Sequence, residues 1–199
     1  LSDVATVEGA VMAPADEYGE EIVRWIGLAD IEAGTGQFEV RLTPGDRIRS
    51  SAHMFKRGDI LFSRLRPKLR KAILINQSDE EGVCSSELLV LRVKPEVPVL
   101  PEYVAHLLRS DLVFGQLIYQ ITGVGRPRVS TSSVRKIRFP LPPIGEQTLV
   151  VDELNRAGQD AQRQKTMAFQ QLERSRLEIE AAYDRTLGRM FRSDSPRPV

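Results

Sequence analysis

The stretch KIRFPLPPIGEQTLVV, Lys136–Val151, decides how this chain is organised. A short strand-like run, Ile137–Phe139, leads into Pro142–Pro143, and Glu146–Gln147 then begin a helical pattern that continues nearly to the C-terminus. Proline fixes φ and has no backbone N–H to donate, so it does not continue a sheet ladder. The stretch therefore predicts a joint between a folded body and a long exposed helix.

We expect three segments: a globular domain over residues 1–143, a long helix over 144–192 and a flexible tail over 193–199. A chain of 199 residues, 41% of them hydrophobic, is long enough for one domain with a core and an appendage. Apolar runs such as Ala72–Ile75 are too short to span a bilayer. Cys84 is the only cysteine, which excludes an intrachain disulfide and favours a reducing, cytoplasmic location.

Strands and helices are predicted within the body from apolar runs and turn signals. The predicted strands are Val23–Ile31, Ile60–Leu65, Ala72–Asn76 and Leu88–Val93. Pro101 suits the first turn of a helix over PEYVAHLLRS, and Asp111 is expected to cap a second helix, LVFGQLIYQI. Polar Gln77–Gly82 and glycine-rich Gly123–Ser133 are predicted loops. The expected fold is α+β, with a mixed or antiparallel sheet followed by one long C-terminal coiled-coil helix.

The predicted helix carries apolar or small residues at spacings of mostly three and four, the pattern of a coiled-coil seam. The candidate interface is Leu154, Ala157, Ala161, Ala168, Leu172, Ile179, Ala182, Tyr183 and Leu187. Such a helix would be about 70 Å long at ~1.5 Å per residue, so we expect it to need a partner helix. The alternative is two shorter helices that fold back at a break near Gly158.

Charge is strongly segregated along the chain although the net charge is only +1. Arg41–Lys71 contains ten basic and two acidic residues, a local balance of +8. A second basic cluster, Arg126–Arg138, contains no acid. Two such clusters predict a binding surface for a polyanion.

The candidate DNA-binding residues are Arg47, Arg49, Arg64, Arg66, Lys68, Arg70, Lys71, Arg126, Arg128, Ser130 and Ser132. In an extended segment, Arg64–Lys71 would place cations along one side, which suits duplex DNA with about one charge per ~1.7 Å. The serines of the second cluster add short donors, and its glycines would let the backbone approach phosphate. Few aromatic residues accompany the charge, which favours duplex DNA over RNA. The alternative is that the arginines pair with the acids at Glu17–Glu21 or Asp79–Glu81.

We find no catalytic motif. Leu141–Ile144 (LPPI) offers no amide or carboxylate to hold an exocyclic amine, as an amino-methyltransferase requires, and no Gly-Lys-Ser/Thr phosphate-binding loop occurs. His53, His106 and Cys84 are too few soft ligands for zinc. A Cys84–His106 nucleophile and base is less favoured than a buried thiol and a helical histidine. We therefore expect no enzyme activity, cofactor or metal.

Four segments resemble, in the family's order, the specificity (S) subunits of type I restriction-modification systems. They are Trp25–Ile31 (WIGLADI), Lys56–Pro67 (KRGDILFSRLRP), Leu100–Leu108 (LPEYVAHLL) and Gly123–Gln147, which ends in FPLPPIGEQ. The resemblance implies a target recognition domain with a conserved coiled-coil helix. In the family, two such domains each read half of a split DNA site, and two antiparallel helices set the spacing. It also implies a non-catalytic subunit that brings DNA to methyltransferase (M) and restriction (R) subunits.

One domain and one helix resemble half of such a subunit. The resemblance then implies a homodimer, or pairing with a second S-type helix, through the tail; the alternative is the C-terminal half of a longer polypeptide. Two hypotheses of function follow. The first is a DNA-recognition subunit of a restriction system, and the second is a coiled-coil protein-interaction scaffold whose basic face is merely solvated.

Overall fold

The structure, a computed structural model, describes residues 1–76 and 81–193, with side chains described as far as residue 185. The described strands are β1 (Ala5–Glu8), β2 (Val11–Met12), β3 (Ile22–Ile26), β4 (Arg41–Pro44), β5 (Ala52–Phe55), β6 (Ile60–Ser63), β7 (Ala72–Leu74), β8 (Gly82–Ser85) and β9 (Leu88–Val93). The described α-helices are α1 (Pro14–Tyr18), α2 (Pro101–Arg109), α3 (Asp111–Leu117), α4 (Thr131–Arg135) and α5 (Ile144–Ser193).

The strands form two sheets. One has four strands in the order β1-β9-β6-β7 and is antiparallel throughout. The other has five strands in the order β2-β5-β8-β3-β4, and only its β3–β8 pair is parallel. The predicted α+β fold with mixed or antiparallel pairing and a long C-terminal helix is confirmed.

The four-stranded sheet is buried on both faces. In β6, Ile60 and Phe62 enter a core shared with α2 and α3, whereas Leu61 enters a second core against the five-stranded sheet. Strand β9 alternates in the same way. Because successive side chains of a strand point to opposite faces, a strand covered on both faces reads as an unbroken apolar run. This explains why the apolar runs of β6 and β9 predicted strands at these positions.

Some strand boundaries were wrong. The strand predicted over Val23–Ile31 ends at Ile26, because Gly27 and a 3-10 turn follow, and the Gly27 N–H donates to the Asp30 carboxylate at 2.8 Å. The predicted strands that begin at Ile60 and Ala72 end earlier, at Ser63 and Leu74. Strand β6 stops where the chain turns toward β7, whereas β7 stops at Leu74, which lies opposite Ile60 at the start of β6.

The segments after β9 also differ in part. The helix predicted from Pro101 is confirmed, but Ser110 rather than Asp111 caps α3, since the Ser110 hydroxyl accepts from the Val113 N–H at 3.3 Å. The predicted strand Ile137–Phe139 was wrong, because its first residue packs into the main core without a ladder partner.

The two predicted loops have different outcomes. The end of Gly123–Ser133 forms the start of α4. Of Gln77–Gly82, residues 77–80 lie outside the described part of the chain, and Gly82 begins β8.

The proline joint precedes α5, which begins at Ile144. Compact packing divides the chain into one unit over Leu1–Leu154 and a second from Asn155 onward. The first turns of α5 belong to the first unit because Gln147 and Val151 are buried there. The helix runs without interruption past Gly158, so the alternative of a break at that residue was wrong. A single glycine costs only about 1 kcal/mol in a helix. In the described part of the chain, no helix combines the length and apolar character that crossing a membrane requires.

Gln147 fixes the start of α5 through all of its amide atoms. Its Nε2 donates to the carbonyls of Pro98 at 3.1 Å and Pro142 at 2.8 Å, and its Oε1 accepts from the Leu100 N–H at 2.9 Å. The side chain is fully buried. A buried amide with three backbone partners specifies both its own orientation and the path of two proline-rich segments.

We expect Gln147→Met, which keeps the length but removes the amide, to lower the free energy of unfolding by at least about 2 kcal/mol. The substitution leaves a buried N–H and two carbonyls without partners, and each such group is costly. Urea denaturation would measure the change. The matched control is Gln159→Met on the exposed part of α5, where a change within about 0.5 kcal/mol is expected. Equal effects of the two substitutions would contradict this assignment.

Candidate nucleic-acid interface

The reversal segment, Arg64–Lys71, connects the antiparallel strands β6 and β7 and must therefore turn back on itself. It does so through a 3-10 turn at Pro67–Leu69, flanked by Arg66 and Arg70, both in the left-handed region at φ 50°. Pro67 suits the first position of that turn because its φ is already fixed. The expectation that this segment is extended, with its cations in a row, was wrong.

The reversal segment lies against the hairpin loop, Thr122–Arg128, whose two end residues pair by backbone hydrogen bonds of 2.8 and 2.9 Å. The Arg66 N–H donates to the Pro127 carbonyl at 2.7 Å, and the Val129 N–H donates to the Arg64 carbonyl at 3.0 Å. The backbone thus brings together the two basic segments that the sequence singled out.

One carboxylate, Glu87, lies among the arginines of both segments. Arg128 donates through Nε to both Glu87 oxygens at 3.1 Å and through Nη2 to Oε1. The Nε of Arg64 is 3.4 Å from Oε2, and Nη2 of Arg126 is 4.0 Å from Oε1. Three guanidinium groups around one carboxylate leave an excess of two positive charges.

The ionisation of this cluster follows from its contacts. The hydrogen bonds from Arg128, helped by the nearby charges of Arg64 and Arg126, hold the pKa of Glu87 below its ordinary value. The same hydrogen bonds raise the pKa of Arg128. The carboxylate is therefore charged throughout the neutral range, and the arginines remain cationic beside it.

Three of the predicted cations reach solvent in these two segments. Arg66 and Lys68 are exposed, and no hydrogen bond or ion pair engages their side chains within the described residues. The side chain of Arg126 is 68% exposed despite its distant contact with Glu87. These side chains have unused donors that an incoming anion can occupy.

Two other predicted cations are engaged by the body. Arg70 pairs with Asp111 at 2.5 Å and lies over the Phe114 ring, 5.1 Å from its centroid. The Lys71 Nζ donates to the Leu28 carbonyl at 2.6 Å. Both residues therefore have structural contacts, which the sequence analysis did not anticipate for these positions.

The acids that pair with the predicted arginines are Glu87 and Asp111 rather than those of Glu17–Glu21. Of the other expected partners, Asp79 and Glu80 lie outside the described residues, and Glu81 forms no ion pair with these arginines within the described part of the chain. Glu87 was not recognised from sequence as part of the site. Its only signal is a lone carboxylate directly before the buried strand β9.

The remaining predicted DNA ligands lie in two places. Arg47 and Arg49 are exposed in the connection between β4 and β5. Ser130 caps α4, where its hydroxyl accepts from the Ser133 N–H at 3.0 Å and lies 2.8 Å from the hydroxyl of the exposed Ser132. The hydroxyl of Ser130 is thus already used within the chain.

The predicted coiled-coil residues lie along α5, and those from Leu154 to Tyr183 are exposed. The large members Leu172, Ile179 and Tyr183 are 64%, 56% and 62% exposed. Leu187 lies outside the residues whose side chains are described. An apolar stripe of this size in contact with solvent is unfavourable unless another surface covers it.

No group of three or more His, Cys, Asp or Glu residues with metal-binding geometry occurs among the described residues. Burial raises the pKa of the Cys84 thiol to about 12. A thiol that is protonated at neutral pH is a poor nucleophile, in agreement with its interpretation as a structural residue.

A family model described as the type I restriction modification DNA specificity domain matches residues 1–173. The chain belongs to this family. The resemblance inferred from the four sequence segments is therefore confirmed, and the specificity domain accounts for the whole of the compact unit and part of the second.

The specificity domain is similar in fold to two solved structures. With the HsdS subunit from Thermoanaerobacter tengcongensis it shares 22% identity at a TM-score of 0.70, over 92% of this chain and 47% of that chain. The second structure is described as the structural basis of complex assembly and conformational transition of the type I R-M system. It shares 22% identity with this chain at a TM-score of 0.69, over 99% of this chain and 48% of that chain. The specificity domain thus spans about half the length of these two chains. Among curated proteins, none matches it in sequence.

We expect Glu87→Gln in the specificity domain to lower the free energy of unfolding at neutral pH, because the amide cannot offset three guanidinium charges. The pKa of Glu87 is depressed in the folded state. Its stabilising contribution is therefore present above the ordinary glutamate pKa of about 4.3 and is lost as the pH falls through the lower, folded-state value.

Urea denaturation of the wild type and of Glu87→Gln at neutral and acid pH would measure the difference between their free energies of unfolding. This difference should be largest at neutral pH and smaller in acid. The matched control is Glu178→Gln on the exposed part of α5, where a change in unfolding free energy within about 0.5 kcal/mol is expected. If the difference in free energy of unfolding between the wild type and Glu87→Gln does not change with pH, the charge of Glu87 is not what stabilises the cluster.

Proposed function

We propose that the chain is a DNA-recognition subunit of a type I restriction-modification complex, which binds one half of a split duplex site. Residues 1–143 would carry recognition, and the helix over 144–192 would be the dimerisation and spacer element, followed by the tail over 193–199. The subunit would have no catalytic activity of its own and would bring DNA to methyltransferase and restriction subunits.

The observation that carries this proposal is the convergence of two basic segments on one part of the body. Arg66 and Lys68 are exposed there, beside the Glu87 cluster, which includes the exposed Arg126 and retains two positive charges. Backbone hydrogen bonds support both segments, so the cations are held on a framework rather than on independent loops. Binding to a duplex polyanion gains from such preorganised charge.

Family membership supports the same proposal, since the family model is described as a DNA specificity domain. The fold similarity to an HsdS subunit adds that a chain about twice this length contains the same architecture. A second copy of the helix and domain would then complete a two-domain reader of a split site. In a symmetric pair, two equal domains would favour a palindromic site.

We expect Arg126→Gln to lower DNA affinity and to reduce the slope of log affinity against log salt by about one unit, because one phosphate contact releases about 0.9 counterion. Fluorescence anisotropy with a duplex selected from a random-sequence pool, with the methyltransferase subunit present, would measure both quantities. The control is Arg174→Gln on α5, which removes the same charge outside the basic segments and should leave the slope unchanged.

The DNA-recognition proposal fails if the wild-type chain binds no duplex with its methyltransferase partner present, or binds with no dependence on salt. The scaffold hypothesis makes the opposite prediction, since it requires Arg126→Gln to be silent in every assay.

The exposed stripe of α5 supports helix pairing as the second part of the proposal. Its residues recur at intervals of eleven, in the series Ala161, Leu172, Tyr183 and the series Ala157, Ala168, Ile179. An eleven-residue repeat corresponds to about 3.67 residues per turn, so it favours a nearly straight or slightly right-handed pair over a left-handed supercoil. The partner would be the same helix of a second copy or that of another S-type chain.

We expect Leu172→Asp and Ile179→Asp to convert the paired form to a monomer, because a carboxylate in an apolar seam is costly to bury. Solution mass by light scattering would measure the change. The control is Leu177→Asp, which replaces an equally exposed leucine about 140° around the helix from Leu172 and should leave the mass unchanged. A monomeric wild-type chain would contradict homodimer formation, and pairing with a second S-type chain would then be tested by mixing.

A further inference from the structure

A polar cleft of about 400 Å³ lies at the junction of the two sheets and α4. Its volume falls within the usual range for ligand clefts, about 300–1,000 Å³. Apart from the acid Glu8, its polar walls are Ser51, His53, Arg64, Ser86, Thr131 and Arg135. The cleft adjoins the Glu87 cluster because Arg64 belongs to both. Of these walls, only Arg64 was among the residues predicted to bind DNA.

The cleft has an excess of positive charge. Arg64 and Arg135 contribute two guanidinium groups, and Glu8 is the acid in the lining. The carboxylate of Glu8 already accepts from the Thr6 hydroxyl at 2.8 Å and pairs with Arg92 at 3.1 Å. Arg92 is already held by both oxygens of the buried Asp59 carboxylate at 2.8 Å, so it does not fully offset the charge of Glu8. With two arginines against one glutamate, the cleft retains an excess of one positive charge.

The cleft also has unused hydrogen-bond donors. The guanidinium of Arg64 makes no hydrogen bond within the described residues, and its Nε is buried at 3.4 Å from Glu87, too far for good hydrogen-bond geometry. The side chains of Ser51, Ser86, Thr131 and Arg135 likewise make no hydrogen bond within that part of the chain. Guanidinium and hydroxyl donors around one concave space are the chemistry that binds phosphate oxygens.

We propose that this cleft binds a backbone phosphodiester of DNA, with Arg64 and Arg135 supplying the charge and the hydroxyls of Ser51, Ser86 and Thr131 supplying further donors. The proposal rests on the function proposed above and adds a contact that positions the duplex beside the exposed cations of the reversal segment and the hairpin loop. A phosphate contact of this kind sets the register of a protein on DNA without reading sequence.

The test uses the full chain, its methyltransferase partner and the duplex selected from a random pool. Arg135→Gln should weaken binding by roughly tenfold and reduce the salt slope by about 0.9. The control is Arg174→Gln, an exposed arginine of α5 that lies outside both basic clusters and does not line the cleft. It should leave the slope unchanged.

A second measurement locates the phosphate. One phosphate at a time is replaced in the duplex by an uncharged methylphosphonate. At one position this replacement should weaken the binding of the wild type but cause no further loss of affinity in Arg135→Gln.

A third experiment titrates inorganic phosphate against the chain and follows thermal unfolding. Weak stabilisation, at concentrations far above those of the DNA titration, is expected, since the duplex presents its phosphate together with other contacts.

The outcomes separate the two proposals. If the wild type binds DNA with steep salt dependence but Arg135→Gln binds with the same affinity and salt slope as Arg174→Gln, the cleft assignment is overturned and DNA recognition stands. If inorganic phosphate binds tightly while Arg135→Gln leaves DNA affinity intact, the cleft serves a free anion instead and the assignment is again overturned. If the wild type binds no DNA with its partner present, both proposals fail.

Discussion

The carboxylate of Glu87 is the interaction on which the cationic surface depends. Like charges repel, so Arg64, Arg126 and Arg128 would not be gathered at one place without a negative group among them. The one negative charge of Glu87 holds the three arginines together, but it does not neutralise their three positive charges. The geometry therefore combines a stable native cluster with a residual charge that is open to a polyanion, and the polar cleft next to it extends the same positive region through Arg64 and Arg135.

A second constraint acts at the start of the long helix. Prolines on both sides remove backbone donors, so the segments before α2 and before α5 cannot pair as strands. The amide of Gln147 replaces that missing ladder by binding one N–H and two carbonyls of these segments. The first turn of α5 is therefore anchored to the compact unit by a buried, fully bonded side chain.

Sequence reasoning succeeded where a single periodicity dominates. Strand β9 and helix α2 agree with their predictions because an unbroken apolar run and a proline-initiated amphipathic run have one structural interpretation each. The extended interpretation of Arg64–Lys71 failed because the positions of Arg66 and Arg70 in the left-handed region depend on how β6 and β7 pair. Strands β1, β2, β4, β5 and β8 were missed for the same reason, since their pairing is decided by residues distant in the chain. The partners of the arginines were missed because they too are distant in the chain.

The sequence by itself determined the two basic clusters, the proline joint, the helix with its apolar stripe and the four segments that identify the family, because each of these is a local pattern of composition or spacing. Only the tertiary structure decided which arginines remain available. It assigns Arg70 and Lys71 to contacts with the body, and it brings the hairpin loop to the reversal segment around Glu87. The physical reason is that charge is a property of a residue, whereas its availability depends on which donors and acceptors the folded chain places within a few ångströms.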